Sequence, residues 1–495
     1  MIEIAGALGI DELRRIADLE EEASVPCAVL DRLATAHDEA RDLAEHAAVY
    51  GRSTGVGANK DTAVADDGDA HARRLLRSHA VDAGEVVPDR VVRAMLAVRL
   101  NQLAVGGSGV EPAVVAALAE MLRRDALPTV RTLGSIGTGD LTALAGTALT
   151  LLGERPASTP LEPLGAWGSE SALSFISSSA LTIARAALAV TELRKLHQVW
   201  SAVCALSFHA LDGNAQAYAE AAAGASAAPG VEAAAAAVRA LIGPVPEPAR
   251  IQDPFALRIA AITQGVVVTA ADRLADQLEA LIGAAQENPL YVLGADDGSR
   301  AVLHHGAFFQ AQLAAELDAT ALALAQTSTV TFSRLRLLNE PAFTGLPPFL
   351  GDGEPGASGL MMVEYVAAGA VADIRHAAQP AALGTIVLSR GAEEDAPFAA
   401  QAVAQLEDAV VATRTLIACE LLGAVRVVRR RGVADRLTGA LADVFARASA
   451  SLGSDDADRD LRPDLERATA LLAEIADLVE GAPSAPFVSS ASAVL

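Results

Sequence analysis

The sequence predicts a mainly α-helical fold in which long helices form a bundle behind a loop-rich N-terminal region. Alanine, valine and leucine dominate the 495 residues, and aromatic residues make up only 3%. This composition favours close-packed helices over a sandwich of strands. Apolar residues recur at helical spacing, and over residues 398–431 the pattern is uninterrupted. At about 1.5 Å per residue that helix spans roughly 50 Å and needs partner helices along its length.

The N-terminal third alternates short helices with glycine-rich loops. Ile2 and Ile4 indicate an extended start, after which Asp11 is expected to cap the first helix. A second aspartate, Asp140, is expected to cap the helix that follows a tight glycine-rich turn. The predicted segments are an irregular loop at 50–70, helices within 71–124, a loop at 133–140 and a helix at 141–152.

The rest of the chain is dominated by longer helical patterns. Four arginines near the end of the longest pattern suit the negative end of a helix dipole, with a nucleic-acid-binding patch as the alternative. We predict three regions: an N-terminal domain at 1–170, a helix-bundle domain at 171–480 and a flexible tail at 481–495. The helical segments are 172–210, 220–250 with interruptions, 253–285, 310–335 and 398–431, with a proline- and glycine-rich loop at 341–355.

Composition narrows the function classes. The net charge of −24 disfavours binding to nucleic acid and to anionic membranes. The three cysteines, Cys27, Cys204 and Cys419, are far apart and show no metal-ligand spacing, which favours a reducing, cytoplasmic location. The acidic start does not match a signal peptide, and no uninterrupted apolar run reaches the length of a membrane span. We therefore expect neither a metal ion nor a membrane partner.

Two glycine-rich segments carry the functional information. Residues 50–57 read Tyr-Gly-Arg-Ser-Thr-Gly-Val-Gly, and residues 134–141 read Gly-Ser-Ile-Gly-Thr-Gly-Asp-Leu. Further motifs follow in a fixed order: Leu75 to Ala80, Arg99 to Ala104, Ser108-Gly109-Val110, Gln252 to Arg258, Glu287 to Leu290, Gly345 to Leu350 and Glu393-Glu394-Asp395. Together these motifs resemble those of the aromatic amino acid ammonia-lyases, and of histidine ammonia-lyase most closely, over about residues 2–478. The resemblance implies an ammonia-lyase/fumarase-like bundle of long helices and a homotetramer.

The resemblance also draws attention to the second glycine-rich segment. The family carries Gly-Ser-x-Gly-Ala-Ser-Gly-Asp-Leu there and cyclises Ala-Ser-Gly into an electrophilic methylidene-imidazolone ring. In this chain the segment is one residue shorter, and the corresponding tripeptide is Gly137-Thr138-Gly139. We expect this tripeptide to form an ordinary tight turn, so that no prosthetic group is made.

By resemblance, several site residues are kept. Tyr50 matches the tyrosine that acts as the base, and Arg258 matches the arginine that clamps the substrate carboxylate. Ser78 and His79 resemble the selectivity dipeptide of the histidine-specific members, and Glu394 resembles their acidic residue near the substrate. These residues would supply a base, a carboxylate clamp and a histidine–glutamate pair.

Other family positions have changed. Phe255 replaces a tyrosine, and Ser177 stands where the family supplies an asparagine. Phe309 lies in Ala307-Phe308-Phe309-Gln310, which replaces Asn-Phe-His-Gly, and Ala396 stands where a histidine is frequent. The lost groups are mainly those that surround the electrophile.

The retention of these acid–base residues and the loss of the groups around the electrophile favour a reaction different from that of the family. The first hypothesis is an enzyme that works without the ring, by acid–base elimination, isomerisation or cyclisation, on a small carboxylate. The second is a true histidine or aromatic lyase whose ring derives from Thr138. The third is a non-catalytic binding or scaffold protein whose pocket is plugged by Phe255, Phe308 and Phe309. His304 and His305 are predicted to add polar lining to the pocket.

Overall fold

Helices make up most of the computed structural model, which describes residues 1–64, 69–245, 247–293 and 300–480. The α-helices are α1 (Ile10–Ala17), α2 (Cys27–His46), α3 (Asp69–His79), α4 (Asp89–Val105), α5 (Pro112–Arg123), α6 (Leu141–Leu151), α7 (Ser169–Ile176), α8 (Ala180–Ala210), α9 (Glu220–Gly224), α10 (Pro229–Ile242), α11 (Phe255–Arg258), α12 (Ala260–Ile282), α13 (Ala311–Leu338), α14 (Pro341–Thr344), α15 (Met361–Ala377), α16 (Ala399–Arg431), α17 (Gly439–Ser451) and α18 (Arg462–Val479). The strands are β1 (Ile2–Glu3), β2 (Ala23–Ser24), β3 (Ala83–Val86), β4 (Arg131–Leu133), β5 (Leu290–Val292) and β6 (Ala301–Leu303). The prediction of a mainly helical fold is confirmed.

Strands form three two-stranded ribbons in the described chain. β1 and β2 pair in parallel, whereas β3–β4 and β5–β6 are antiparallel. The predicted extended start is therefore confirmed, but the predicted cap of the first helix is wrong. Gly9 occupies the N-cap position, and the Glu12 carboxylate accepts the Gly9 N–H at 3.1 Å, while Asp11 lies in the first turn. A glutamate three residues into a helix can reach back in this way, so the helix does not need the aspartate as its cap.

The first compact unit contains residues 1–191, 275–317 and 380–403. Its central helix, α4, is buried on almost every side, including the polar side chains of Arg99, Asn101 and Gln102. Asn101 accepts the Gly6 N–H at 2.9 Å and donates to the Ile282 carbonyl at 3.0 Å. The polar residues of the Arg99–Ala104 motif are therefore structural: they satisfy backbone groups that would otherwise be buried without partners.

The second compact unit is built from residues 192–274, 318–379 and the described chain from 404 onward. Its longest helix, α16, spans 33 residues, and this confirms the predicted helix at 398–431. α16 contributes Glu420, a buried carboxylate that binds the Arg334 guanidinium of α13 through two contacts of 2.7 and 2.9 Å. Each member of the pair depends on the other, because a buried charge without a partner is strongly destabilising.

The arginine run at the end of α16 anchors surrounding loops. Arg429 donates to the Gly453 and Leu452 carbonyls, and Arg430 donates to the Leu350 and Gly351 carbonyls. The further partners are the Leu350 carbonyl for Arg426, and the Ala210 carbonyl and Asp212 for Arg431. The run does lie in the last turns of the helix, as the dipole interpretation requires, but its guanidinium groups are engaged within the protein.

One described helical stretch, Glu170–Ala210, is long and apolar enough to cross a bilayer. Its most apolar window is 94% buried inside the protein, as in the core helix of a globular protein. The predicted domain boundary at 170/171 stays a prediction, and the predicted tail at 481–495 lies outside the described residues.

Candidate active site

A cavity of about 480 Å³ opens in the first compact unit, a volume suited to a small organic ligand. Several separate parts of the sequence meet there, among them the glycine-rich loop that begins at Tyr50, the turn that contains Thr138 and the loop at 392–395. The polar lining comprises Tyr50, Lys60, Thr138, Ser177, Asn288, Glu393, Glu394 and Asp395, and the larger apolar side chains are Leu141, Leu173, Phe308 and Phe309.

The Tyr50 loop is held by contacts at both ends of the tyrosine. Its hydroxyl oxygen accepts the Gly57 N–H at 2.7 Å, and its own backbone N–H donates to His304 Nε2 at 3.2 Å. Gly57 has a φ of +55°, and a Cβ there would lie 2.6 Å from Ser389 Oγ. The positive φ and the close approach of Ser389 therefore favour glycine where this loop meets the 389–391 turn. The His304 side chain therefore holds the backbone of Tyr50 and is not part of the cavity lining.

The turn that contains Thr138 is flanked by two glycines with positive φ. Gly137 and Gly139 have φ values of +90° and +106°. A Cβ on Gly137 would lie 2.7 Å from the Ala399 backbone nitrogen, so the close approach permits no side chain. Gln310 donates its N–H to the Gly137 carbonyl at 3.0 Å, which ties the turn to the start of α13. Thr138 is left facing the cavity between two fixed residues.

Asp140 occupies the N-cap position of α6, as predicted, but does not cap the helix with its side chain. The side chain makes no capping hydrogen bond. Its carboxylate instead accepts the Thr182 N–H at 2.8 Å and the Thr182 hydroxyl at 2.9 Å. Burial raises the pKa of the Asp140 carboxyl above its ordinary value, against the opposing effect of these hydrogen bonds. Asp140 therefore joins the cavity turn to the start of α8.

A buried ion pair and its contacts lie close in sequence to two further lining residues, Ser177 and Asn288. The Arg99 guanidinium binds Glu287 at 2.8 Å and also donates to the Phe175 carbonyl at 2.9 Å. Burial raises the pKa of the Glu287 carboxyl, and the Arg99 charge opposes that rise. Residues close to these anchors meet in the cavity wall, where Asn288 donates its N–H to Ser177 Oγ at 3.1 Å. The pair thus fixes the positions of both segments.

The acidic side of the cavity is the turn Glu393-Glu394-Asp395, called here the acidic turn. All three side chains are exposed, so solvent and ligand can reach them. The Leu388 N–H donates to the Glu393 carbonyl at 2.8 Å, and Asp395 accepts the Ala396 N–H at 2.8 Å. These bonds shape the turn without using the carboxylates of Glu393 and Glu394.

The sequence model of the aromatic amino acid lyase family matches residues 8–450. The chain belongs to the aromatic amino acid lyase family. It is 31% identical to the histidine ammonia-lyase of Sorangium cellulosum over 84% of each chain. It is 32% identical to that of Geobacillus kaustophilus over 87% of this chain and 88% of the relative. Its fold is similar to that of ergothionase, an ergothioneine-degrading enzyme from Treponema denticola, with a TM-score of 0.89 at 24% identity over 97% of this chain and 99% of that one.

Five of the residues selected by resemblance to the family come together. Tyr50, Thr138, Ser177, Phe309 and Glu394 all line the cavity. Gly137 and Gly139 flank Thr138 and set its backbone. The family consists of carbon–nitrogen lyases, and the relatives of this chain are enzymes. Motifs that are far apart in the sequence thus contribute residues to one cavity.

Four of the site residues selected by resemblance are not part of the lining: Ser78 and His79 in the first unit, and Phe255 and Arg258 in the second. Ser78 and His79 end α3, where the His79 Nδ1 donates to the Leu75 carbonyl at 2.8 Å and Ser78 Oγ donates to the same oxygen at 2.9 Å. Their side chains thus cap their own helix. The selectivity role that the family resemblance gives them stays a prediction.

Phe255 and Arg258 belong to the second unit. Phe255 is 63% exposed, and the Arg258 guanidinium lies 4.7 Å from the centre of its ring, a cation–π stack. The short helix α11 that carries them is held from beneath: Tyr218 donates to the Leu257 carbonyl at 2.7 Å, and Arg334 donates to the Ala256 carbonyl at 3.3 Å. These two hydrogen bonds hold the backbone of the short helix that carries Arg258.

Sequence reasoning assigned no role to Lys60, Asn288 or Asp395, although the last two lie in family motifs. Lys60 is one of only two lysines in the chain and stands ten residues after Tyr50 in the same loop, which was a usable signal. In the described part of the chain, no group of three or more histidine, cysteine, aspartate or glutamate residues is placed to hold a metal ion.

Proposed function

We propose that this protein is a lyase-like enzyme that acts by acid–base chemistry on a small carboxylate without a methylidene-imidazolone ring. The observation that carries the proposal is the cavity in which Tyr50 and Glu394 face the same space as Thr138. Membership of a carbon–nitrogen lyase family supplies the reaction class. Elimination, isomerisation and cyclisation all begin with the removal of a proton by a base held beside the substrate.

Tyr50 acts as the base in this proposal. Because its oxygen accepts the Gly57 N–H, the tyrosine is held in one position at the cavity wall. Glu394 is the acid partner, on the exposed acidic turn of the cavity. Arg258 keeps its family role as a carboxylate clamp, and Ser78 and His79 keep theirs in selectivity; these roles follow from the resemblance.

The residues at 137–139 do not fit the ring-forming tripeptide. The family's central serine loses its hydroxyl to leave a methylene, whereas dehydration of Thr138 would leave an extra methyl on the electrophilic carbon. The segment is also one residue shorter than the family pattern. Without the electrophile, ammonia is a poor leaving group, so the proposed substrate carries a group that leaves more easily or reacts without losing ammonia.

The intact mass of the purified protein tests the first half of the proposal. We expect the mass calculated from the sequence and no absorbance band beyond that of the aromatic side chains. The Thr138→Ala variant is the control, because its spectrum should be superimposable on that of the wild type. A mass lower by two waters, together with an absorbance band that Thr138→Ala abolishes, would establish a threonine-derived ring instead.

Proton exchange and turnover test the second half. L-Histidine and its N-trimethylated derivative would be incubated with the protein in D₂O, and NMR would follow deuterium incorporation and elimination. The trimethylated form carries a permanent positive charge and leaves as a neutral amine, so we expect it to react faster. Tyr50→Phe should lower the rate at least about 100-fold. Turnover that survives in Tyr50→Phe unchanged would remove the base from the proposal.

The open cavity supports an enzyme over a plugged scaffold, since Phe308 and Phe309 line it without filling it. We further propose a homotetramer, as the resemblance implies, and a cytoplasmic location, which the three unpaired cysteines support.

A further inference from the structure

The loop that carries Tyr50 is closed by its own backbone beside the cavity. The Gly55 N–H donates to the Thr62 carbonyl at 3.0 Å, so the residues between them form a compact projection. Its tip, residues 57–60, includes part of the cavity lining. Residues 52–64 are exposed or only partly buried, so the projection has no core of its own. Its position therefore depends on the contacts that its tip makes with the rest of the protein.

At the tip, two neighbouring backbone N–H groups have different partners. The Gly57 N–H donates to the Tyr50 hydroxyl at 2.7 Å, and the Ala58 N–H donates to Ser389 Oγ at 2.9 Å. Among the described residues, the bond to Ser389 is the hydrogen bond by which residues 57–60 reach outside the loop. The Ser389 hydroxyl therefore holds the peptide segment whose preceding N–H holds the proposed base.

Ser389 begins a turn whose backbone is strained. Ser389 and Arg390 have φ values of +53° and +57°, and Gly391 follows at +85°. Residues other than glycine adopt this left-handed region at a cost in free energy, and such conformations persist where the surrounding contacts determine them. The turn is closed by the Ala392 N–H, which donates to the Ser389 carbonyl at 3.1 Å. The chain then enters the acidic turn directly.

The close approach of the two loops also involves the acidic turn. A Cβ on Gly57 would lie 2.6 Å from Ser389 Oγ and 3.8 Å from Glu393 Oε1. Ser389 stands four residues before Glu393, within a turn that an antiparallel bridge closes. One hydroxyl group thus ties the loop of Tyr50 to the segment that carries Glu394.

We propose that the Ser389 hydroxyl is a latch that fixes the Tyr50 loop against the acidic turn and so sets the distance between Tyr50 and Glu394. The inference rests on the proposed function, since it takes these two residues as the acid–base pair. Ser389 is a positioning residue, because it is not part of the cavity lining and acts through the Ala58 N–H. A reacting group displaced by about 1 Å can cost roughly a hundredfold in rate, so the loss of one hydrogen bond at the tip is sufficient to lower turnover.

Three variants separate the hydroxyl group from the strain of the turn. Ser389→Gly removes the hydroxyl and relieves the backbone, whereas Ser389→Thr keeps the hydroxyl but puts a β-branched residue at positive φ. Arg390→Gly is the matched control, because it relieves the neighbouring, exposed residue and leaves the hydroxyl in place. In thermal unfolding, the midpoint of Ser389→Gly should be no lower than that of the wild type, and the midpoint of Ser389→Thr should be lower.

Amide hydrogen exchange followed by mass spectrometry tests the latch without any substrate. In Ser389→Gly, the peptide that covers residues 50–64 should exchange roughly three- to tenfold faster than in the wild type, as expected for the loss of one hydrogen bond. In Ser389→Thr and Arg390→Gly it should exchange at the wild-type rate. The inference is overturned if Ser389→Gly leaves the exchange of this peptide unchanged, or if Arg390→Gly accelerates it equally.

Turnover of N-trimethylated histidine in D₂O tests the coupling of the latch to the acid–base pair. We expect kcat in Ser389→Gly to fall at least about tenfold with little change in KM, although the variant is no less stable than the wild type. Ser389→Thr should retain the wild-type kcat despite its lower unfolding midpoint, which a merely structural role would not produce. Wild-type kcat in Ser389→Gly, in an assay where Tyr50→Phe abolishes turnover, would also overturn the inference. If the loop of Ser389→Gly exchanges faster but Tyr50→Phe leaves turnover unchanged, the proposed function fails and the latch stands.

Discussion

Buried titratable side chains show how single residues couple this fold to pH. His197 in α8 is 6% exposed, and burial lowers its pKa to about 4 from an ordinary value of 6.5. His209, also in α8, shifts in the same direction, again through burial, and its Nε2 bonds to the Ile242 carbonyl at 2.9 Å. Both histidines are therefore kept neutral by the folded protein over a range in which the unfolded chain would be protonated.

This difference predicts acid sensitivity. As pH falls below 6.5, His197 takes up a proton in the unfolded chain but not in the folded one. Its contribution to the free energy of unfolding is therefore fully present above pH 6.5 and is lost as the pH falls towards 4. The contribution of His197 is about 3 kcal/mol over that window. Urea unfolding at pH 7 and pH 5 should show a smaller pH dependence in His197→Gln than in the wild type. The exposed His46→Gln is the control, and an unchanged pH dependence in His197→Gln would refute the assignment.

Helices approach each other most closely where neither carries a side chain. Gly230 of α10 and Gly265 of α12 meet backbone to backbone: a Cβ on Gly265 would lie 2.5 Å from both Cα and N of Val231. Backbone atoms cannot move aside as the end of a flexible side chain can. The glycines in these helices are thus a packing requirement, although glycine weakens an isolated helix.

A matched pair of substitutions tests this requirement. Gly265→Ala should lower the free energy of unfolding by about 1–3 kcal/mol through overpacking. Gly224→Ala, at the end of α9 with no atom within 4 Å of its Cβ position, should raise it by about 0.4–1 kcal/mol. Chemical denaturation of both variants decides the matter. Equal effects at the two sites would show that helix propensity alone governs them.

The buried pair between α13 and α16 supports the turn that presents Arg258. Glu420→Gln would leave the Arg334 charge buried without its counter-ion, so we expect a loss of about 3–5 kcal/mol in unfolding free energy. The double variant Arg334→Met/Glu420→Leu should recover most of that loss, because it removes both charges. Denaturant titration of the single and double variants completes the cycle, and a double variant as unstable as the single one would contradict the argument.

At the scale of the whole molecule, the second unit leaves apolar side chains exposed on its long helices. Val411 of α16 is 64% exposed, and Tyr365 and Met362 of α15 are 66% and 56% exposed. Exposed apolar groups on neighbouring helices are typical of surfaces that a further protein chain covers. They support the proposed homotetramer of 50.6 kDa chains.

Analytical ultracentrifugation tests the assembly. The wild type should sediment as four chains, and Val411→Asp should shift the population to smaller species, since an unpaired carboxylate is costly to bury at an apolar interface. Val81→Asp is the control, because Val81 is 70% exposed in the first unit and lies on no long helix. A monomeric wild type would exclude the tetramer.

The sequence alone determined the helical architecture, the family and the loop that carries Tyr50. Helical periodicity and glycine-rich motifs are local patterns, and for that reason α16 could be delimited to within one residue. The same patterns could select Thr138, Ser177, Phe309 and Glu394 because family motifs are also local.

Only the tertiary structure decided which of these residues share a cavity and what holds them there. The Asp140 carboxylate binds Thr182 instead of its own helix, the arginine run anchors loops, and Lys60 lines the same cavity as carboxylates more than 300 positions later in the sequence. Such contacts are fixed by long-range packing and by the need to pair every buried polar group, neither of which leaves a periodic trace in the sequence.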